Sequence, residues 1–435
     1  MYLRGSKWSM RQRRPRINWF LIAMVVLLIV IVTYLDRFIL PTAQLPGLPT
    51  STTTRNPESY ATEAQGLFDN GKLSQSIDTY LEAIRIKPDD PTLYTDLARV
   101  QIFAGDYDKA LVNAENSLLL NPDSSMANAV RGWALTKLGD YTKADDSLKT
   151  AIRLDANDGQ AHAYNAFLYA AMYVDGVGPY TDPIQTAIAE SQAAITISPD
   201  SLEAHWARAY ILQITDNNDQ AVTEYQKAIS INKNISEIHL ELGVTYKALS
   251  VIDQSNIDTA LQEYNLANTL DPTDYRPNEY SSRALVSIGH YAKAAQFAEQ
   301  AVKNAPTDPY LRGNWGYMLY KDSQIDLDTV KMGDALTQLS LAINGGLSED
   351  GQTIQPISPT SNDIWVAKYY YSYAILLAQN GHCSDALPLT QKILNYFRSD
   401  PFASPNVEYA LGFCAASLGT PSVKPTVTPG MTPTP

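Results

Sequence analysis

The chain has few of the residues from which catalytic and metal sites are usually built. Its 435 residues include two cysteines and five histidines. The sequence has no phosphate-binding glycine loop before a lysine, no paired-histidine zinc helix and no nucleophile elbow. We therefore predict a protein that is not an enzyme and that holds no metal or cofactor.

Charge is scarce and unevenly placed. Charged residues make up 18% of the chain, and the formal net charge is −13. The first 37 residues contain seven Lys or Arg and one Asp, so they carry +6 and the rest carries −13 minus 6, or −19. A surface this acidic repels nucleic acid. The balance predicts no nucleic-acid partner, and it suits either plain solubility or a basic protein partner.

Long hydrophobic runs are also missing, with one exception at residues 17–35. A helix over this run measures about 28 Å, enough to span a hydrocarbon core. Segment 1–16 carries six basic residues and no acidic one. This predicts a single-pass transmembrane helix with a cytoplasmic amino terminus and the rest of the chain extracytoplasmic. A cleaved signal peptide is the alternative, but Pro41-Thr42-Ala43 is a poor cleavage site, so we favour an uncleaved anchor in the lipid bilayer.

Two segments have a composition that cannot form a hydrophobic core. Residues 36–56 and 420–435 are rich in threonine and proline, which favour extended chain without packing. We predict a linker for the first and a disordered tail for the second.

What the remaining chain has in abundance is a periodic pattern of small residues, with most steps of 34 residues. Two antiparallel helices approach closely only where the crossing residues lack bulk, so such a pattern predicts repeated helix pairs. The first small position holds Ala64, Ala98, Gly132, Ala166, Ala209, Gly243, Ser282 and Gly316, and the second holds Ser76, Ala110, Ala144, Ala187, Ala221, Ala260, Ala294 and Ala335.

This period and residue order resemble the tetratricopeptide repeat family. The resemblance implies an all-α solenoid of helix-turn-helix units, with about nine repeats and a terminal helix. Repeats one to eight would occupy 57–347, a loop 348–363, and a divergent repeat with its cap 364–419. Together with the run at 17–35, this predicts a membrane-anchored repeat protein.

Such a solenoid offers a concave surface lined by the first helix of each repeat. Aromatic and cationic side chains at the inner positions are the types that most often anchor interfaces, so we predict a groove for a protein or extended peptide. The alternative is that these aromatics pack against the next helix. Some members of this family hold the carboxy terminus of a chaperone in a clamp that includes asparagines. The inner positions of the early repeats lack these asparagines, so we do not predict binding of that type. The candidate groove residues are Arg99, Phe103, Trp133, Lys137, Phe167, Trp206, Tyr210, Lys247, Arg283, Tyr317, Tyr320, Lys321 and Tyr371.

Three histidines, His162, His205 and His239, occupy one register position of consecutive repeats. Ligands on successive repeats lie too far apart for one metal ion bound at about 2 Å, so we interpret these histidines as packing residues. Cys383 and Cys414 either form a disulfide or remain two buried thiols.

Three insertions interrupt the period, at 173–183, 250–257 and 322–333. Each falls between the two helices of a repeat, so all three are expected on one edge of the solenoid. They either extend a binding face or are tolerated surface loops.

These observations predict a non-catalytic, membrane-anchored, extracytoplasmic scaffold for protein or peptide partners. One alternative is a structural subunit of an envelope complex. Another is an accessory subunit that presents substrate to a glycan- or wall-modifying enzyme. Self-association through the terminal helices also stays open.

Overall fold

A computed structural model describes residues 19–34, 55–178, 182–359 and 364–415, and the chain divides into two units, 1–56 and 57–435. The first unit contains one described helix, α1 (Trp19–Tyr34), of 16 residues. Among the described residues, no helix combines the length and the apolar character that crossing a membrane requires. The ends of the predicted anchor 17–35, segment 1–16, most of 36–56 and the tail 420–435 lie outside the described residues.

The second unit is a succession of helix pairs, which confirms the predicted all-helical repeat solenoid. Each pair consists of two antiparallel helices joined by a short turn. The pairs are α2 (Pro57–Asp69) and α3 (Leu73–Ile86), α4 (Pro91–Phe103) and α5 (Tyr107–Leu120), α6 (Ser125–Lys137) and α7 (Tyr141–Leu154), α8 (Gly159–Asp175) and α9 (Pro183–Ile197), α10 (Leu202–Ile214) and α11 (Asn218–Ile231), α12 (Ser236–Leu249) and α13 (Asn256–Leu270), α14 (Arg276–Val286) and α15 (Tyr291–Asn304), α16 (Pro309–Asp326) and α17 (Thr329–Asn344), and α18 (Ile364–Gln379) and α19 (Cys383–Tyr396).

The small residues lie where the paired helices cross, as their spacing predicts. A Cβ atom on Gly132 would lie 2.5 Å from Cγ of Leu148, and one on Gly243 would lie 2.5 Å from Cε1 of Tyr264. Neither distance is compatible with a real side chain, so bulk at these positions would push the two helices of a pair apart.

The linkers between pairs end one helix and begin the next. Oδ1 of Asp158 accepts hydrogen bonds from the backbone N–H groups of Gln160 and Ala161 at the start of α8, and Asp90 and Asp308 cap α4 and α16 in the same way. Inside the pairs, Gly139 has a φ of +79°, which a residue without Cβ adopts at no steric cost. Local sequence thus sets where each helix starts and stops.

The three histidines tie each linker to its own pair. Nδ1 of His162, His205 and His239 lies 2.6 Å from a carboxylate on the second helix of the same pair, contributed by Glu190, Glu224 and Glu263 respectively. Nε2 of each ring contacts the backbone carbonyl six residues earlier. Among the described residues, no group of side chains has the arrangement of a metal site. The contacts of the three histidines hold each linker against its own pair.

These ion pairs change the titration of two of the rings. The hydrogen bond that His162 donates to Glu190 raises the pKa of His162 above its ordinary value. Burial lowers the pKa of His239, but the hydrogen bonds with Glu263 and with the Lys233 carbonyl, together with the charge of Glu263, outweigh burial, and the net shift is upward. Both rings are therefore stabilised in the protonated form.

A short antiparallel hairpin separates the eighth and ninth pairs and includes the first part of the predicted loop 348–363. Strand β1 (Gly346–Leu347) pairs with β2 (Thr353–Ile354). The fully buried Arg312 holds this segment, since its Nη2 lies 2.6 Å from Oε2 of Glu349. The arginine lowers the pKa of Glu349 to about 2.

The final described helix, α20 (Ala403–Cys414), packs on the last pair. Cys414 at its end forms a disulfide with Cys383 at the start of α19, with 5.6 Å between the two Cα atoms. The disulfide closes the carboxy-terminal end of the solenoid.

Candidate partner-binding surfaces

The inner face of the first five pairs is filled by an aromatic cluster made of Phe68, Phe103, Trp133, Phe167 and Trp206. Neighbouring ring centroids lie 5.0 to 6.0 Å apart, so each ring is in contact with at least one other. Trp133 is fully buried. Rings at these distances stabilise one another beyond the area they bury. The cluster therefore belongs to the core of the solenoid.

A buried ion pair borders the aromatic cluster. Nη2 of Arg99 on α4 lies 2.6 Å from Oε1 of Glu203 on α10, and the carboxylate is 2% exposed. The guanidinium also stacks 5.0 Å from the ring centroid of Phe68. Burial raises the pKa of Glu203, but the charge of Arg99 and the hydrogen bonds that the carboxylate accepts together outweigh burial, and the net shift is downward. Glu203 is therefore ionised at neutral pH.

The first pair contacts the linker between the fifth and sixth pairs. Nδ2 of Asn234 donates to the backbone carbonyl of Asp69 at 3.1 Å. A Cβ atom on Gly71, whose φ is +71°, would lie 2.4 Å from Cβ of Asn234. These contacts join residues more than 160 positions apart, and they close the first five pairs on themselves.

Beside this closure lies a cavity of about 660 Å³, which we call the linker pocket. It is bounded by the linkers after α7, α9 and α11 and by parts of α2 and α4. Its lining is largely polar, with the Arg99–Glu203 pair on one side. The lining residues are Gln65, Phe68, Asp69, Arg99, Ser125, Met126, Asp155, Asn157, Asp158, Gly159, Gln160, Ser198, Ser201, Leu202, Glu203, Ile231 and Asn232.

The structure buries most of the aromatic residues that were predicted to line a groove. The structure brings the early candidates together, but as a packed cluster and not as an open surface. The reason is that the first helices of neighbouring pairs are stacked so closely that the inner positions meet each other. Exposure is 7% or less for Trp133, Phe167, Trp206, Tyr317, Tyr320, Lys321 and Tyr371.

The remaining candidates are partly buried. Nζ of Lys137 lies 5.9 Å from the ring centroid of Trp206. Phe103, Tyr210 and Lys247 are also half-buried. They retain some solvent access, but they lie within a surface that their neighbours largely fill.

A second group of predicted residues lies in the last three pairs, around Trp365 of α18. The guanidinium carbon of Arg283 lies 4.9 Å from the ring centroid of Trp365, and Nζ of Lys368 lies 4.4 Å from it. Arg283 is ion-paired with Glu279 at 2.6 Å. Burial lowers the pKa of Lys368 and of Lys321. This end of the inner face concentrates cations on aromatic rings.

Sequence reasoning missed the carboxylates of the inner face. Glu203 and Glu237 occupy the same register position in successive pairs, and Arg276 follows there in the seventh; its Nη2 lies 2.6 Å from Oε2 of Glu237. Burial and the charge of Glu237 raise the pKa of Glu241 to about 7. The recurrence of a charged residue in the first turn of these helices could have indicated this row of charges. Glutamate is, however, favourable at the start of any helix, so the pattern alone does not indicate an ion pair.

The three insertions expose apolar side chains. Val251 and Ile252 are 86% and 87% exposed in the second insertion, and Leu327 is 70% exposed in the third. Val174 at the end of α8 is 57% exposed. The first and third insertions mainly lengthen helices, since α8 runs to Asp175 and α16 to Asp326. Residues 179–181 of the first lie outside the described part of the chain.

Leu327 is held in a backbone conformation that costs energy. Its φ is +54°, in the left-handed region that L-residues with a side chain disfavour. Leu327 is the C-cap of α16, and helices commonly end with one residue in this conformation.

Three repeat models match the chain, one described as a TPR repeat over residues 65–101 and two as tetratricopeptide repeats over 95–159 and 202–235. BBSome complex member BBS4 from Bos taurus is 23% identical over 360 residues, which span 81% of this chain and 62% of that relative. A DnaJ homolog subfamily C member 7 homolog from Schizosaccharomyces pombe is 20% identical, over 71% of this chain and 72% of its own.

One solved structure shares the fold over most of the chain. The human IFIT1 dimer with PPP-AAAA has a TM-score of 0.50 and 13% identity, and the match covers 83% of this chain and 82% of that one. At this identity the likeness extends to the arrangement of helix pairs alone.

Proposed function

Because this chain is a tetratricopeptide-repeat protein, we propose that it is a non-catalytic scaffold that binds a protein partner along the edge formed by its three insertions. Repeats of this family provide extended surfaces for protein partners. Here the inner face of the first five pairs is filled by its own side chains, so a partner needs another surface.

The observation that carries this proposal is the apolar exposure of the insertions. Val251 and Ile252 are almost fully exposed, and Leu327 is 70% exposed. All three insertions lie between the two helices of a pair, hence on the same edge of a stacked array. Apolar side chains grouped at one edge favour a protein interface over a surface that only meets water.

We also propose that residues 17–35 anchor the chain in a membrane, with the amino terminus cytoplasmic and the repeats extracytoplasmic. Two features support this arrangement: the basic segment 1–16, and apolar side chains along α1 that are 44% or more exposed in its own unit. The disulfide between Cys383 and Cys414 suits an oxidising compartment. Protease added to intact cells should then degrade the repeats, whereas protection until the membrane is broken would place them inside.

The scaffold proposal is tested by crosslinking in intact cells, followed by purification of the full chain and identification of its partners. A Val251→Ser, Ile252→Ser variant should lose captured partners at least about tenfold, since interface energy concentrates in a few buried anchors. A matched control, Val112→Ser with Leu119→Ser, removes exposed apolar side chains from α5. Circular dichroism checks that both variants fold. Equal capture by all three proteins, or equal loss in both variants, would refute the edge as the binding surface.

A further inference from the structure

The linker pocket has the dimensions of a binding site. Its volume of about 660 Å³ falls within the range of roughly 300 to 1,000 Å³ that ligand sites occupy. Its walls come from five helix pairs and three linkers, and the contacts of Asn232 and Asn234 with the first pair hold them together. The pocket is therefore a built feature of the closed first five pairs.

The charge of the pocket is negative. Four carboxylates line it, and Arg99 is the single cation among its lining residues. Arg99 is committed to Glu203, with two of its nitrogens within 2.8 Å of Oε1. Of the remaining carboxylates, Asp158 caps α8 with Oδ1 and accepts from the Ser125 hydroxyl with Oδ2 at 2.8 Å. An anion entering the pocket would meet repulsion that no free cation offsets.

Helix starts at the pocket do not reverse this preference. Helix amino termini attract anions through their unpaired N–H groups. Here those groups are already used: Asp158 accepts from the first turn of α8, and the Ser201 hydroxyl accepts from Ala204 of α10. Oxygen atoms of the protein itself therefore already occupy the positive ends of these helix dipoles.

Two carboxylates at the pocket retain bonding capacity. Oδ1 of Asp69 accepts a hydrogen bond from Gln65 at 2.8 Å, and Oδ1 of Asp155 accepts from the N–H of Asn157 at 2.9 Å. Both aspartates are exposed. Among the described residues, neither second oxygen accepts a hydrogen bond. These oxygens can accept charge-assisted hydrogen bonds from an ammonium or guanidinium group.

Apolar side chains complete the lining. Phe68, Met126, Leu202 and Ile231 all border the pocket. Lysine and arginine side chains bury an aliphatic stem while their charged ends remain in polar surroundings. The apolar part of the lining can contact the aliphatic stem of a lysine or arginine, and the carboxylates can contact its charged end.

We propose that the linker pocket binds the ammonium or guanidinium side chains of a basic segment of a partner protein. Asp69 and Asp155 pair with the cationic ends, and the apolar wall contacts the stems. This site is distinct from the insertion edge, so either can fail without the other.

The test measures direct binding to the detergent-solubilised full chain by fluorescence anisotropy. A labelled heptalysine peptide should bind more tightly than a labelled heptaglutamate peptide. The isosteric Asp69→Asn, Asp155→Asn variant should weaken heptalysine binding by roughly fivefold, since exposed ion pairs contribute modestly. Asn157→Trp, which fills the mouth without changing charge, should weaken it as well.

A matched control separates the pocket from the general acidity of the chain. Asp89→Asn with Asp108→Asn removes two exposed charges that do not line the pocket, and it should leave the dissociation constant unchanged. An equal loss in this control would overturn the proposal, as would heptalysine binding that Asn157→Trp leaves intact. Spermidine that competes as strongly as unlabelled heptalysine would overturn the assignment to a peptide and assign the site to a free polyamine.

Discussion

The inner face of the first five helix pairs and that of the last three use the same repeat positions for opposite chemistry. In the first region an aromatic cluster fills the space, and Arg99 beside it is paired with Glu203. In the last region Arg283 and Lys368 flank Trp365, and burial lowers the pKa of Lys368.

The two regions also differ in how well their buried polar groups are satisfied. In the last three pairs the side chains of Ser282, Asn314 and Ser372 have no hydrogen-bond partner among the described residues. In the first five pairs the corresponding atoms are Nε1 of Trp133 and Oδ1 of Asn165. Buried polar atoms without partners reduce stability. We infer that the first region is built for packing, whereas the second tolerates polar groups inside it.

The largest expected effect contrasts the central ring of each region. Trp133→Ala removes a fully buried ring from the aromatic cluster and should lower the free energy of unfolding by about 3–5 kcal/mol. Trp365→Ala removes a half-buried ring and should lower the free energy of unfolding by about half as much. Urea denaturation followed by circular dichroism measures both. Equal costs would remove the distinction between a filled and a partly open inner face.

The disulfide gives the last region a stabilisation that the first lacks. Its cysteines are 31 residues apart, so Cys383→Ser with Cys414→Ser should cost about 3–4 kcal/mol in the chain-entropy model. Hydrogen exchange should show the loss in α18–α20 and not in α2–α11. Uniform loss along the chain would mean that the solenoid unfolds as one cooperative unit.

The buried ion pair tests whether charge is essential to the first region. Glu203→Gln leaves Arg99 buried without its counter-charge and should cost about 3 kcal/mol. Replacing both residues with methionine should recover part of this loss. A double variant as unstable as the single one would mean that the pair itself, and not the orphaned charge, stabilises the closure.

Filling an unsatisfied site should stabilise the last region. Asn314 is fully buried, and neither atom of its amide has a hydrogen-bond partner among the described residues. Asn314→Leu keeps the branching of the side chain at Cγ and removes the polar atoms, so it should raise stability by about 1 kcal/mol. Thermal unfolding detects this change, and a lower melting temperature would show that the amide has a partner in solution.

The smallest effect concerns pH and the histidines of the first six pairs. A pKa raised in the folded state contributes stability that is present below the ordinary histidine pKa and is lost as pH rises through the folded value. The pKa values of His162 and His239 are raised, so raising the pH from 6 to 8.5 should cost the wild type about 1 kcal/mol more than a His162→Gln, His239→Gln variant. Parallel pH profiles for the two proteins would contradict this.

Much of the fold follows from local pattern. The positions of the small residues predict each helix crossing because a crossing at Gly132 or Gly243 leaves no room for a side chain. Linker residues such as Asp158 predict helix starts because they cap them directly. Both effects act between residues that are close along the chain, so helix crossings and helix starts can be predicted from the sequence alone.

The candidate site was harder to predict because it depends on distant contacts. Whether Trp206 faces an open groove depends on the stacking of neighbouring pairs. The linker pocket depends on Asn234 meeting Asp69, 165 residues away. Arg99 was predicted as a groove residue, but its partner Glu203 lies 104 residues along the chain. A local sequence pattern cannot predict contacts between residues that lie more than 100 positions apart.

The most direct test of this account is photocrosslinking of the partner from two single positions. A photoreactive amino acid replaces either Ile252 on the insertion edge or Lys137 on the inner face, and adducts are compared in intact cells. The account predicts partner adducts from position 252 and none from position 137. Adducts from position 137 alone would show that the inner face opens to bind and would contradict the account.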